Sequence, residues 1–251
     1  MKDELMECLD FPKKSIVNRI LAKNIIAQSA DLSPKEKEYL TNEIERVYIL
    51  ASLNEPSTNI PVFKSEQYRY EEILCLYVQL RSTTKLEHLK KMFHAIFPNP
   101  VLLVFESPDN KLMISTCHKR LNLQDISKVV DEQIKSTDWF HIEKEFEKFI
   151  RSITYRQLSF IDLFQLYDSY HSHIRLTKCV QYMDNYPKEV SSLDELLNHL
   201  DLIEQVDHSI ELLKKQQKKA IEFNEKMEWH MKIKREEKKR TKEIETLKGM
   251  I

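Results

Sequence analysis

The stretch YEEILCLYVQLRS, residues 70–82, has an acidic head, an apolar middle and an arginine tail. Leu74, Leu76, Val78 and Leu80 fall on one face of an extended chain, and Ile73, Cys75 and Tyr77 on the other. Apolar residues on both faces predict a central strand covered on both sides. A competing reading is the remnant of a metal-dependent nuclease motif, which places a carboxylate two residues before a lysine. Gln79 and Arg81 stand at those places, and a neutral amide cannot supply the charge a hard cation requires. Glu72 and Glu106 remain as the candidate ligands of that alternative, and the core strand is the preferred reading.

Downstream of Arg81 the period changes. Leu86, Leu89, Phe93 and Ile96 are spaced for a helix that PNP (98–100) stops. VLLVFE (101–106) reads as a second strand buried on both faces, SPDN (107–110) as a turn, and KLMISTC (111–117) as a returning strand. TDWFHI (137–142) is a possible further strand. The expectation is an α+β fold: a small mixed sheet with a β-α-β-β core, preceded by N-terminal helices and followed by a long C-terminal helix that forms a coiled coil. The predicted domains are an N-terminal helical region (1–56), an α+β core with its following helix (57–186), and a coiled-coil helix (190–251).

Upstream, Ile16, Ile20 and Leu21 suggest a short helix within residues 11–29. Ser33, Pro34 and Glu36 form a helix start signal with a capping box. The stripe Leu40, Ile44, Val47 and Leu50 or Ala51 extends that helix to about residue 53. Phe160, Leu163, Phe164 and Tyr167 give a helix face in the segment from Leu158, and NYPKEVSS (185–192) breaks it. The last segment keeps a heptad register: Ile203, Ile210, Gln217, Asn224 and Met231 hold one seam position, and Val206, Leu213, Ala220 and Met227 the other. A single helix over 192–247 would be about 84 Å long. Such a helix needs a partner, with Gln217 and Asn224 expected to pair with amides across the seam.

Composition excludes several classes. The chain has 251 residues and a single glycine, Gly249. Phosphate-cradling loops need glycine where φ is positive, so no P-loop, dinucleotide fingerprint or nucleophile elbow can be built. Cys8, Cys75, Cys117 and Cys179 form no CxxC pair and read as reduced core residues of a cytoplasmic protein. The start MKDELMECLDF lacks the pattern of a signal peptide, and no apolar run has the length of a membrane span. From Lys214 to Lys248 there are 13 Lys and Arg against 7 Asp and Glu, while the formal charge of the whole chain is −1, so a basic tail follows an acidic body.

No residue pattern compels catalysis. His171 and His173 lie two apart, His88 and His94 six apart, and no HExxH occurs. CHKRLN (117–122) places His118, Lys119 and Arg120 at a strand end, where they could contact a phosphate. Lys238, Lys239 and Arg240 could do so from the tail, although glutamates interrupt that patch. Neither a metal nor a cofactor is expected.

The runs LSPKEKEYLTNEIERVYILASLNEPSTNIP, YEEILCLYVQLR, FHAIFPNPVLLVFE, CHKRLN, TDW and LSFIDLFQLYD, in that order, resemble the bacterial domain of unknown function family 4391. The likeness covers roughly residues 10–185 and continues more loosely into the tail. It implies an accessory protein that accompanies a helicase or a DNA methyltransferase in a restriction-like anti-phage system. The family offers no accepted catalytic residues to carry over, and its relatives favour an acid and a lysine where Gln79 and Arg81 stand here. The expected function is therefore a non-enzymatic adaptor that pairs with itself or a partner through the C-terminal helix and does not enter a membrane. A metal-dependent nuclease using Glu72 and Glu106, or a DNA-binding subunit acting through the basic tail, is the alternative.

Overall fold

The computed structural model describes residues 1–29, 32–125, 128–142, 146–183, 186–187 and 192–250. The chain divides into two compact units, Met1–Thr177 and Lys178–Ile251.

The first unit is built on a six-stranded sheet. Its strands are β1 (Ile16–Ile20), β2 (Ile44–Asn54), β5 (Glu72–Leu80), β6 (Val101–Glu106), β7 (Leu112–Thr116) and β10 (Lys135–Ser136), and they lie in that order across the sheet. Short ribbons β3 (Phe63–Lys64) with β4 (Arg69–Tyr70), and β8 (Lys119–Leu121) with β9 (Val129–Asp131), accompany it. All neighbours are antiparallel except β5 and β6, which run parallel through the crossover helix α5 (Leu86–Ile96). The sheet is therefore mixed, and the β-α-β-β core expected from residues 70–117 is present as β5, α5, β6 and β7.

The two-faced patterns of β5 and β6 have their cause in helices on both sides. Leu76, Val78, Leu80, Leu103 and Phe105 pack with Leu89, Met92 and Phe93 of α5. That core also takes Ile26 of α2 (Lys23–Ser29) and Leu40 of α3 (Pro34–Asn42). The remaining helices of the unit are α1 (Lys2–Leu9), α4 (Glu55–Thr58), α6 (Glu147–Ser152) and α7 (Leu163–Leu176). Tyr167 of α7 donates a hydrogen bond to the Val101 carbonyl at 2.9 Å and accepts one from the Cys117 amide at 2.9 Å, which pins α7 to the sheet. Each large side chain fully buried in such a layer contributes about 1.5–3 kcal/mol.

Three expectations are corrected. The capping box forms as expected, with the Ser33 amide donating to Glu36 at 2.8 Å, but α3 stops at Asn42 and residues 44–54 form the long strand β2. Bulges between Ile44 and Arg46 and between Ile49 and Ala51 shift the strand's alternation. They bring Ile44, Val47, Leu50 and Ala51 to the buried sides, a spacing that imitates a helical stripe. The short helix expected within residues 11–29 is present at its end as α2, whereas Ile16–Ile20, whose spacing suggested it, form the edge strand β1, with its register broken at Asn18 (φ 43°). Both strands join the sheet, so residues 1–56 are part of the α+β body and not a separate helical region. The possible strand at 137–142 lies slightly earlier, at β10, with Phe140 adding one bridge to Leu112. The break expected at 185–192 falls mostly outside the described residues.

The second unit is helical. A short α8 (Val180–Met183) precedes α9 (Leu193–Lys219) and α10 (Phe223–Gly249). Among the described residues no helix is long and apolar enough to cross a membrane.

Candidate functional site

The parallel register of β5 and β6 decides whether Glu72 and Glu106 can act together. Gln79 lies opposite Glu106, and Glu72 is seven residues earlier on β5, about 23 Å along the strand at 3.3 Å per residue. One cation cannot bind both. Glu72 instead accepts hydrogen bonds from Ser52 Oγ and, at 2.7 Å, from Asn99 Nδ2. Glu106 accepts one from Gln79 Nε2 at 2.7 Å, so the departure at position 79 gives this carboxylate a neutral donor. Among the described residues no group of three His, Cys, Asp or Glu could hold a metal ion.

The CHKRLN segment does not end in solvent as expected. Lys119 is buried, with its side chain 2% exposed, and its Nζ donates to Asp131 Oδ1 at 2.7 Å and to the His94 carbonyl. His118 is also buried. Tyr70, whose hydroxyl burial keeps protonated by raising its pKa, donates to His118 Nδ1 at 2.7 Å, and Nε2 of the same ring donates to Asp168 Oδ1 at 3.1 Å. His171 meets His118 edge to face at 4.5 Å between ring centres. Burial is the main reason His171 is pushed down to about 3, with the positive charge of Arg175 adding to it, so this ring stays neutral. Burial alone would raise Asp168, but the His118 hydrogen bond, with the positive charge of Arg175 nearby, outweighs it and holds the carboxyl below its ordinary value.

A phosphate contact by His118 and Lys119 therefore finds their donors engaged within the fold, leaving Arg120 only half-buried. The chain Asp168–His118–Tyr70 looks like a proton relay, yet it ends on a phenol with no exposure and joins β4, β8 and α7. Burial pushes the adjacent Cys117 thiol up to about 12, which removes it as a nucleophile. Tyr70, Asp131, Asp168 and His171 were not selected by sequence reasoning. They meet the CHKR segment from up to 53 residues away, as His171 meets His118, and no local spacing signals such a meeting.

In the second unit, α9 and α10 pack antiparallel. His199 Nδ1 and Glu243 Oε2 are 2.8 Å apart, Asp207 and Arg240 2.5 Å, and Gln217 donates to the Lys226 carbonyl at 3.2 Å. The single helix expected over 192–247 is thus a hairpin of two helices, each about 40 Å long. Its reversal lies at residues 220–222, where Ala220 adopts an extended conformation (ψ 137°). On α9, Ile203 and Ile210 are buried, Val206, Leu213 and Gln217 half-buried, and Ala220 at its end is buried. Beyond the turn the register moves by two residues, so Ile233, Arg240 and Leu247 face α9. Asn224, Met227 and Met231 lie outside the seam, and Gln217 bonds a backbone carbonyl in place of a partner amide.

The reversal leaves apolar side chains in water. Ile221 is 90% exposed, Phe223 75% and Met231 63%, and Leu212 and Met227 are each nearly half exposed. Lys214, Lys215, Lys218, Lys219 and Lys226 surround them in sequence and are exposed. Of the basic residues selected in the tail, Arg240 is occupied by Asp207 and Lys239 pairs with Glu236 at 2.6 Å, while Lys238 is exposed. This apolar, lysine-ringed turn is the candidate interaction surface, because exposed aromatic and aliphatic residues clustered at one place mark binding sites.

No curated protein and no solved structure matches the chain. The family described as Domain of unknown function (DUF4391) matches it over residues 9–239, most of its length, and the chain belongs to that family.

Proposed function

We propose that the protein is a non-enzymatic adaptor of a restriction-like anti-phage system, docking through its helical hairpin on a helicase or DNA methyltransferase. The observation that carries the reading is the exposed turn, with Ile221 and Phe223 at its tip and Met227 and Met231 beside it. Burying an aromatic and an aliphatic anchor supplies much of the energy of an interface, and flexible methionines adapt to the partner's contour. The separation of Glu72 from Glu106 and the full burial of the Tyr70 end of the Tyr70–His118–Asp168 chain support a role other than catalysis. Four unpaired cysteines fit the cytoplasm.

The test is affinity purification of the tagged protein from its native host, followed by identification of any helicase or DNA methyltransferase that comes with it. Ile221→Asp with Phe223→Asp should abolish recovery of that enzyme while leaving the helical signal intact, because neither side chain is buried. Equal recovery with the variant would refute the hairpin as the docking element. A DNA-contacting subunit is the second reading, favoured by the exposed lysines of the turn and by Lys238. It requires salt-dependent DNA binding that weakens on charge reversal of Lys218, Lys219 and Lys238.

A further inference from the structure

A second surface lies in the first unit. Lys13 and Lys14 of the 3₁₀ turn Lys13–Ser15, Asn59 after α4, and the aromatic residues Tyr155 and Phe160 line an open cleft of about 400 Å³. This volume falls within the range of small-ligand sites, roughly 300–1,000 Å³. No lining residue is acidic.

The chain builds this cleft from rigid pieces. Ser15 is buried and its hydroxyl donates to the Pro12 carbonyl at 2.8 Å, which fixes the turn that presents both lysines. Asn59 takes a left-handed conformation (φ 59°) and its amide nitrogen donates to the Glu55 carbonyl at 2.8 Å, closing α4. Among the described residues, Lys13 and Lys14 have no ion pair or hydrogen bond, and the side chain of Asn59 has none either. The nearest acid in sequence, Asp10, is already paired with Arg156 at 2.7 Å.

The aromatic pair adds a different chemistry. Tyr155 is buried, and Phe160 lies against it with ring centres 4.9 Å apart at 32°. Phe160 is nevertheless 48% exposed, and its neighbour Ile161 is more exposed still. Phe160 precedes α7, whose first turn is capped by Asp162, so it lies outside the apolar helix face to which its spacing assigned it. A half-exposed ring seated on a second ring is a platform for another flat group, and it stands in one cleft with two free ammonium groups and a free amide.

We propose that this cleft binds a nucleotide unit, with the base stacked on Phe160, its edge within reach of Asn59, and the phosphate neutralised by Lys13 and Lys14. Aromatic stacking combined with backbone neutralisation is how single strands are held without sequence preference. The same chemistry would accept a free nucleotide, and the two sources are separated by experiment.

The experiment uses the protein and fluorescence anisotropy with a labelled deca-thymidylate, competed by unlabelled deca-thymidylate, by thymidine and adenosine monophosphates and by an abasic decamer of equal charge. Competition by unlabelled deca-thymidylate alone identifies a strand as the ligand, and competition by mononucleotides at comparable concentration identifies a free nucleotide. Phe160→Ala should weaken binding by about fivefold to a hundredfold, the effect of losing one stacked base, and Phe160→Trp should restore it. Lys13→Glu with Lys14→Glu should abolish binding, and single replacements by Gln should each lower the salt slope by about 0.7. Charge reversal of Lys218 and Lys238 should leave the Phe160 effect unchanged. Absence of binding at low salt, equal affinity for the abasic decamer, or insensitivity to Phe160→Ala would each overturn the proposal.

Discussion

Acidification should loosen the first unit well before its carboxylates titrate. His94 and His171 are both buried and both held near 3. Burial is the main cause in each, reinforced at His94 by Lys119 and Lys90 and at His171 by Arg175, with Asp168 opposing. In the unfolded chain the same rings titrate near 6.5. Between those values the unfolded state binds more protons than the folded state, so stability is complete above pH 6.5 and falls as the pH drops toward 3. Each pH unit costs about 1.4 kcal/mol per ring, so the 1.5 units from pH 6.5 to 5 remove about 2 kcal/mol for each, or about 4 kcal/mol for both. That is a large share of a domain's stability of about 5–15 kcal/mol. Urea unfolding at pH 7.5, 6.5, 5.5 and 5.0 measures it. Trp139 packs against the core of the first unit, so a Trp229→Phe background leaves one reporter for that unit alone. Replacing His94 and His171 together with Gln should flatten the profile between pH 7 and 5, at some cost in stability at neutral pH. A wild-type profile that is already flat there would show that neither ring is kept neutral by the fold.

Lys119→Met should cost about 2–4 kcal/mol, somewhat under the figure for a fully buried pair because Asp131 keeps about a quarter of its exposure, and Asp131→Asn should recover part of the loss in a double-mutant cycle of urea midpoints. In the hairpin, Ile233→Ala should cost about 2–4 kcal/mol while Met231→Ala changes stability by less than about 0.5 kcal/mol, as read by helical circular dichroism. The reverse order would mean that the continuous heptad register is the correct one and the hairpin is not.

The sequence was most legible where one physical signal acted alone. Residues 72–80 and 101–106 are apolar on both faces because helices cover both, and the helix 86–96 carries a clean amphipathic period. The capping box at Ser33 marked a helix start correctly. It could not mark the end, because the bulges of β2 made a strand's buried residues recur at three and four. β1 was hidden for the opposite reason: as an edge strand it buries almost nothing, so it leaves little pattern to read. The heptads named the helices of the second unit, but the reversal at residues 220–222 contains neither Gly nor Pro, and the seam can be followed across it only with the structure. As for function, Glu72 and Glu106 were visible as carboxylates, while their distance depended on strand direction. The partners of His118 and the cleft at Phe160 depend on contacts between residues far apart in sequence, which no local window contains.

The hydrogen bonds from Tyr167 to Val101 and Cys117 also set an order of events during synthesis. The strands β2, β5 and β6 are all made by residue 106, yet the helix that closes one face of their sheet ends only at residue 176. At about 5–20 residues per second, roughly 4–14 s pass between the two. Throughout that interval a growing chain carries a sheet that still lacks α7 on one of its apolar faces. Premature termination between residues 106 and 163 would make the gap permanent, so such fragments should accumulate as insoluble material or as chaperone clients, whereas chains released after residue 177 should not.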